Sequence, residues 1–141
     1  MEVNPKENKN GPQDIEQLRY MQNVYAEQYE LLGNEVTTLS MAINTVRKDV
    51  DLIENMDKVV NSEVLFNSQG NIYMTANVGK VSSVVVYVGA NYLIEKNLDE
   101  AKGFLKENLE KQEAGLRKLV SERQKIEKEL FDISYKLSSM Q

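Results

Sequence analysis

The stretch Val84-Val85-Val86-Tyr87-Val88-Gly89-Ala90-Asn91-Tyr92-Leu93-Ile94-Glu95-Lys96-Asn97 opens with β-branched and aromatic residues, the composition of a pleated, buried surface. A Gly-Ala-Asn turn signal follows, and a second short apolar run closes on Glu95 and Lys96. This reads as a β-hairpin turning at Gly89 to Asn91. On each side lies a segment of about forty residues with helical periodicity and almost no strand character. One β island between two long helices is the frame for the rest of the chain.

Upstream of the valine run, Val64-Leu65-Phe66 reads as a short strand and Asn67-Ser68-Gln69-Gly70-Asn71 as its turn. Ile72, Met74, Ala76 and Val78 then alternate with Tyr73, Thr75 and Asn77, the period-two sign of a half-buried strand. Gly79-Lys80 links this hairpin to the next, so residues 63–95 hold two hairpins and about four strands. Two isolated hairpins are marginal in water, and their unpaired edges invite another chain. The valine run is apolar on both faces, which demands cover on both sides. It is read either as a buried strand within one subunit or as an intersubunit strand; the second is favoured because one chain has too few strands to cover it.

The flanking segments carry coiled-coil seams. Leu18, Gln22, Tyr25, Tyr29, Leu32, Val36, Leu39, Ile43, Val46, Val50 and Ile53 alternate at fours and threes over about five heptads. The spacing predicts a helix over 14–58, roughly 60 Å long at 1.5 Å per residue, ended by the turn chemistry of Asn61 and Ser62. The polar residues of 1–13, with Asn4, Asn8, Asn10, Gly11 and Pro12, read as a disordered lead-in. Downstream, Asn97 with Glu100 three residues on has capping-box spacing. It starts a helix over 97–140 with a seam of Leu98, Lys102, Leu105, Leu109, Gln112, Leu116, Leu119, Arg123, Ile126, Leu130, Ile133, Leu137 and Met140. Gln22, Gln112 and Arg123 either fix the register of the seam or sit exposed where the coil splays. Two helices of matching length around a compact insert fold back as an antiparallel coiled-coil hairpin, an α+β architecture with the hairpins at the bend.

Composition narrows the function classes. The chain has 141 residues, a length that suits one domain. With aromatics at 7% and charged residues at 28% it suits long helices better than a thick core, so oligomerisation is expected to complete that core. No Cys and no His removes disulfides, thiolate metal sites, Cys nucleophiles and His bases together. No cofactor or metal is expected, and no phosphate-binding glycine loop is present, so an enzyme is not the expected reading. A formal charge of −5 argues against a nucleic-acid partner. No apolar run approaches the roughly twenty residues that span a bilayer, and Met1-Glu2-Val3-Asn4-Pro5-Lys6 lacks a signal core. The expectation is a cytoplasmic protein with no membrane contact.

The run Val86-Tyr87-Val88-Gly89-Ala90-Asn91-Tyr92-Leu93-Ile94-Glu95-Lys96-Asn97-Leu98-Asp99-Glu100-Ala101 resembles the signature of alpha-type prefoldin subunits, archaeal ones among them. In that signature a hydrophobic strand, a Val-Gly-small turn, an aromatic-containing strand, Glu-Lys and a Leu-acidic-acidic-Ala helix start follow in order. The order and lengths of helix, hairpins and helix extend the resemblance over nearly the whole chain. It implies a hexamer of two alpha and four beta-type subunits, whose strands join an intersubunit β-barrel from which six coiled coils hang. It further implies an ATP-independent holdase that binds unfolded client proteins and passes them to a group II chaperonin. The first hairpin departs from the family pattern, which usually has a Pro-containing strand and small Gly or Ser residues at its turn.

Candidate residues follow from both lines. Tyr20 and Met21 lie off the seam near the start of the first helix, and Phe131 and Tyr135 lie off it near the end of the second. With Ile15, Leu18, Leu137 and Met140 at frayed seam positions, they form a client-binding tip of exposed apolar side chains, where Met repacks easily. The opposing reading is that these residues finish the coil or meet a neighbour; Leu31, Met41, Phe104 and Val120 are off-seam in mid-helix too. The candidate oligomer interface is Val64, Phe66, Val84, Val85, Val86, Tyr87, Val88 and Tyr92. The competing function is a coiled-coil scaffold or filament-forming tether of the same architecture without client activity.

Overall fold

A computed structural model describes residues 11–140. The elements run α1 (Pro12–Glu54), α2 (Met56–Val59), β1 (Glu63–Asn67), β2 (Tyr73–Asn77), β3 (Ser83–Gly89), β4 (Tyr92–Asn97) and α3 (Leu98–Ser139). The chain divides into two compact units. A terminal unit takes residues up to Met41 and from Ala114 onward; a hairpin unit takes Ala42–Glu113.

Residues 1–10 of the expected lead-in lie outside the described residues. Pro12 and Gln13 belong to α1, because proline's fixed φ and missing N–H suit the first helical position. The carbonyl of Gly11 accepts the N–H groups of Asp14 and Ile15 at 3.0 and 3.3 Å. At its other end α1 stops at Glu54, short of residue 58. There the Asn55 side chain donates to the carbonyl of Asp51 at 2.8 Å, and its backbone leaves helical geometry at φ −108°, ψ 24°. One helical turn, α2, follows and buries Met56 before Asn61 turns the chain with a positive φ of 63°. Asn tolerates that left-handed conformation, which explains the turn residue at this place.

In the terminal unit α1 and α3 pair antiparallel. Gln22 donates to Ser134 at 3.2 Å, and further along α1 the carbonyl of Tyr29 meets Arg123, earlier on α3. Ile133 and Leu137 are buried in this seam. The two polar seam residues of this unit therefore pair across the coil instead of splaying it.

The hairpin unit holds the best-packed cluster of the described residues. Val50 of α1, Val86 of β3, and Ala101 and Leu105 of α3 are buried together, with Val46, Ile53, Val84, Val88 and Phe104 packed around them. Ala101 is fully covered, and its small side chain lets the strand approach the helix. Burying side chains such as Val and Leu contributes about 1.5–3 kcal/mol each. Ion pairs flank the cluster: Arg47 with Glu113 at 2.8 Å, and Glu54 with Lys106 at 3.1 Å and Lys102 at 3.6 Å. The hydrogen bond and charge of Lys106, aided by Lys102, hold the Glu54 carboxyl below the usual carboxylate range.

The strands form two separate two-stranded antiparallel sheets, β1–β2 and β3–β4. Gly89 takes φ 102°, and Ala90 and Asn91 take φ 49° and 64°, so a two-residue loop with both central residues left-handed joins β3 to β4. In the first hairpin it is Gln69, not Gly70, that takes the positive φ, while Asn67 donates to the Gly70 carbonyl at 3.0 Å.

Candidate functional site

Strand register assigns the hairpin residues to faces. In β3–β4, Val84 and Val86 stand opposite Lys96 and Ile94, on the face that meets the helices. Lys96 extends over the Phe104 ring, with its ammonium 5.3 Å from the centroid. Val85 and Tyr87 stand opposite Glu95 and Leu93 on the other face. Val85 is 63% exposed and Tyr87 61%, and Leu93 is equally bare. Glu95 keeps to this outer face by accepting a hydrogen bond from Ser83 at 2.7 Å. The Glu-Lys pair that closes the hairpin thus sends one side chain to each face.

Val86, assigned to the oligomer interface, is only 9% exposed because it packs into its own subunit's cluster. Val84 and Val88 are half-buried on the same cluster. Of the proposed interface residues, Val85, Tyr87, Tyr92 and Phe66 are the exposed ones, and Val64 is half-buried.

The first hairpin covers neither face. Val64 and Phe66 stand opposite Ala76 and Met74, while Leu65 and Asn67 stand opposite Thr75 and Tyr73. Leu65, Phe66, Ile72, Tyr73 and Met74 are all exposed, so β2 is bare along its length and not half-buried. Period-two alternation assumed a core beneath one face; among the described residues no such core lies under this hairpin. Leu65, Ile72, Tyr73, Met74, Leu93 and Ile94 were missed as surface candidates. For β2 a signal was present, since Tyr73 falls in the opposite phase from Ile72 and Met74.

Beside β3 runs a groove of about 500 Å³ lined by Val46, Leu52, Ile53, Phe104 and Gln112 together with the strand itself. The amide oxygen of Gln112 is buried there with no hydrogen-bond partner among the described residues.

The terminal unit displays its apolar residues differently from the expectation. Leu137 is 9% exposed, because a seam position close to the helix end still packs across the coil. Ile15, Leu18, Met21 and Met140 are half-buried. Leu18, Met21 and Met140 line a shallow groove of about 580 Å³ rimmed by Asp14 and Lys136. Tyr20, Phe131 and Tyr135 are each 70% exposed. Phe131 and Tyr135 are four residues apart on α3 and share one of its faces. Two of the off-seam residues that the sequence singled out on α3, and Tyr20 on α1, are therefore outward aromatics at positions where a coiled coil ordinarily carries charge.

Among the described residues no group of His, Cys, Asp and Glu is arranged to hold a metal, and no helix is long and apolar enough to cross a membrane. The chemistry on display is exposed apolar surface: the two hairpins and Leu52 in one unit, and Tyr20, Phe131 and Tyr135 with the mid-helix Leu31, Met41 and Val120 in the other.

Comparison with known proteins agrees with this architecture. The chain is 23% identical over 130 residues to prefoldin subunit alpha of Pyrococcus horikoshii, covering 91% of this chain and 88% of the relative. It is 27% identical over 115 residues to prefoldin subunit alpha of Archaeoglobus fulgidus, covering 76% and 84%. Its fold is similar to that of a chain in the cryo-EM structure of filamentous prefoldin from Methanocaldococcus jannaschii. That match has a TM-score of 0.55 at 22% identity, over 86% of this chain and 96% of the other. The prefoldin subunit family model matches residues 25–141. With α1 from residue 25 onward, both hairpins and α3 inside that match, the chain belongs to the prefoldin family of chaperone subunits.

Proposed function

We propose that this chain is the alpha-type subunit of a cytoplasmic prefoldin hexamer, two alpha with four beta-type subunits, that holds non-native proteins without ATP. Clients pass from it to a group II chaperonin. The observation that carries the reading is the exposure of Tyr20, Phe131 and Tyr135 in the terminal unit, at 70% each. Aromatics stay in water at a cost unless a partner covers them, and a set of separate apolar contacts suits chains of unrelated sequence. The groove of Leu18, Met21 and Met140 adds pliable side chains beside them. Several weak contacts on several subunits give avidity while each contact releases quickly, which permits handover.

Assembly is assigned to the hairpins. The subunit leaves Val85, Tyr87 and Leu93 of one sheet and Leu65, Phe66, Tyr73 and Met74 of the other bare, and neighbouring subunits cover them as a barrel. A second reading, a filament-forming scaffold without client activity, draws on the same bare hairpins and on the filamentous assembly of the Methanocaldococcus jannaschii relative.

The test is light scattering of a denatured model client diluted into this chain with a beta-type partner. Suppression by the native chain that is lost with Tyr20→Ser, Phe131→Ser and Tyr135→Ser combined, at unchanged oligomer size, supports the holdase. No suppression by either, with assembly confirmed, supports the scaffold.

A further inference from the structure

We propose that α1 contains a bending joint at Tyr29–Thr37, and that Arg123 of α3 is the latch that holds it straight. Three features of the terminal unit coincide there. Gly33 sits in the interior of α1, where glycine is a poor helix former. Two successive carbonyls on the same helix face carry an extra donor. The Tyr29 carbonyl, the helical acceptor for the Gly33 N–H, also receives Arg123 Nε at 3.3 Å. The Gly33 carbonyl also receives the Thr37 hydroxyl at 3.0 Å. A Thr hydroxyl bonded back to the i−4 carbonyl favours bending of its own helix, whereas Arg123, donating from α3, ties the Tyr29 carbonyl to the opposite helix.

The latch fits the joint closely. The Arg123 guanidinium lies over the Tyr29 ring, 3.9 Å from its centroid, and occupies the space that a side chain at residue 33 would fill. A Cβ built on Gly33 would stand 2.7 Å from Nη2 and 3.0 Å from Cζ. Arginine is suited to this role because its planar fork stacks on an aromatic face and donates at the same time. The glycine is therefore not a neutral gap: it weakens the helix at the place where the arginine of the opposite helix is received.

The experiment is a double-mutant cycle on the full-length chain, read by hydrogen exchange and by thermal unfolding. Arg123→Met keeps helix propensity and length while removing the stack and the donor. It is expected to speed exchange of the α1 amides around Gly33 by roughly tenfold and to leave those of residues 98–112 unchanged. Gly33→Ala gains helix propensity but displaces the guanidinium. It should raise the unfolding midpoint clearly in the Arg123→Met background and little or not at all in the native one. Equal rises in both backgrounds, or unchanged exchange in Arg123→Met, would overturn the proposal. Arg123→Lys, which keeps the charge and loses the planar stack, gives the same reading if the methionine variant does not fold.

Discussion

The side-chain oxygen of Asn97 accepts the backbone N–H of Glu100 at 2.8 Å. Asn97 is also the last residue of β4, where it stands opposite Ser83, and Leu98 begins α3 directly after it. One residue therefore closes the hairpin ladder with its backbone and caps the helix with its side chain. Asn97→Ala should cost about 1 kcal/mol of stability, and Asn97→Asp should be near neutral. Chemical denaturation of the two variants checks this.

The turn of the same hairpin predicts opposite effects at neighbouring positions. Gly89 holds φ 102°, with open space where a Cβ would go, so Gly89→Ala is opposed by backbone conformation alone. It should cost about 1–3 kcal/mol. Ala90 already bears a left-handed φ of 49°, which Asn adopts more readily. Ala90→Asn should gain up to about 1 kcal/mol, read from the shift in denaturation midpoint.

The two faces of β3 predict a separation of folding from assembly. Val86→Ala removes part of the buried cluster and should destabilise the subunit by about 2 kcal/mol. Val85→Glu with Tyr87→Glu changes side chains that are bare in the subunit. Helical circular dichroism should survive in that double variant while the oligomer, measured by light scattering, is lost.

Glu54 predicts a pH dependence. Its folded pKa is lowered by Lys106 and then Lys102, so its contribution is fully present above the unfolded carboxylate pKa. It is lost as pH falls through the lower folded value. Native protein should therefore exceed Glu54→Gln in unfolding midpoint at neutral pH, and the two should converge on acidification. Because these groups are exposed, the difference should be small and should shrink with salt.

Much of this fold was legible because it is local. Heptad spacing gave both helices, the capping pair Asn97 and Glu100 gave the start of α3, and Gly89 to Asn91 gave the second hairpin's turn. What the chain's pattern did not disclose was which neighbour each apolar residue meets. Val86 and Val85 are indistinguishable in composition, yet only the first reaches Ala101 and Leu105, because pleating sends alternate side chains to opposite faces. Leu137 looked frayed by its place near the end of the helix, but the antiparallel partner extends far enough to cover it. Asn55 ends α1 through a side-chain bond to the Asp51 carbonyl, a competition that seam periodicity does not register. For Arg123 the sequence left two readings open, and the contact with Tyr29 and Gly33 decides between them.

The central claim is that the outward aromatics of the terminal unit grip non-native chains. A photo-crosslinking amino acid placed at Phe131 or Tyr135, in the chain assembled with a beta-type prefoldin subunit, tests this most directly. Irradiation with a chemically denatured client should give covalent adducts from both positions, and irradiation with the same client in its native state should give none. Adducts arising instead from Tyr87 on the hairpin, with none from Phe131 and Tyr135, would contradict the account.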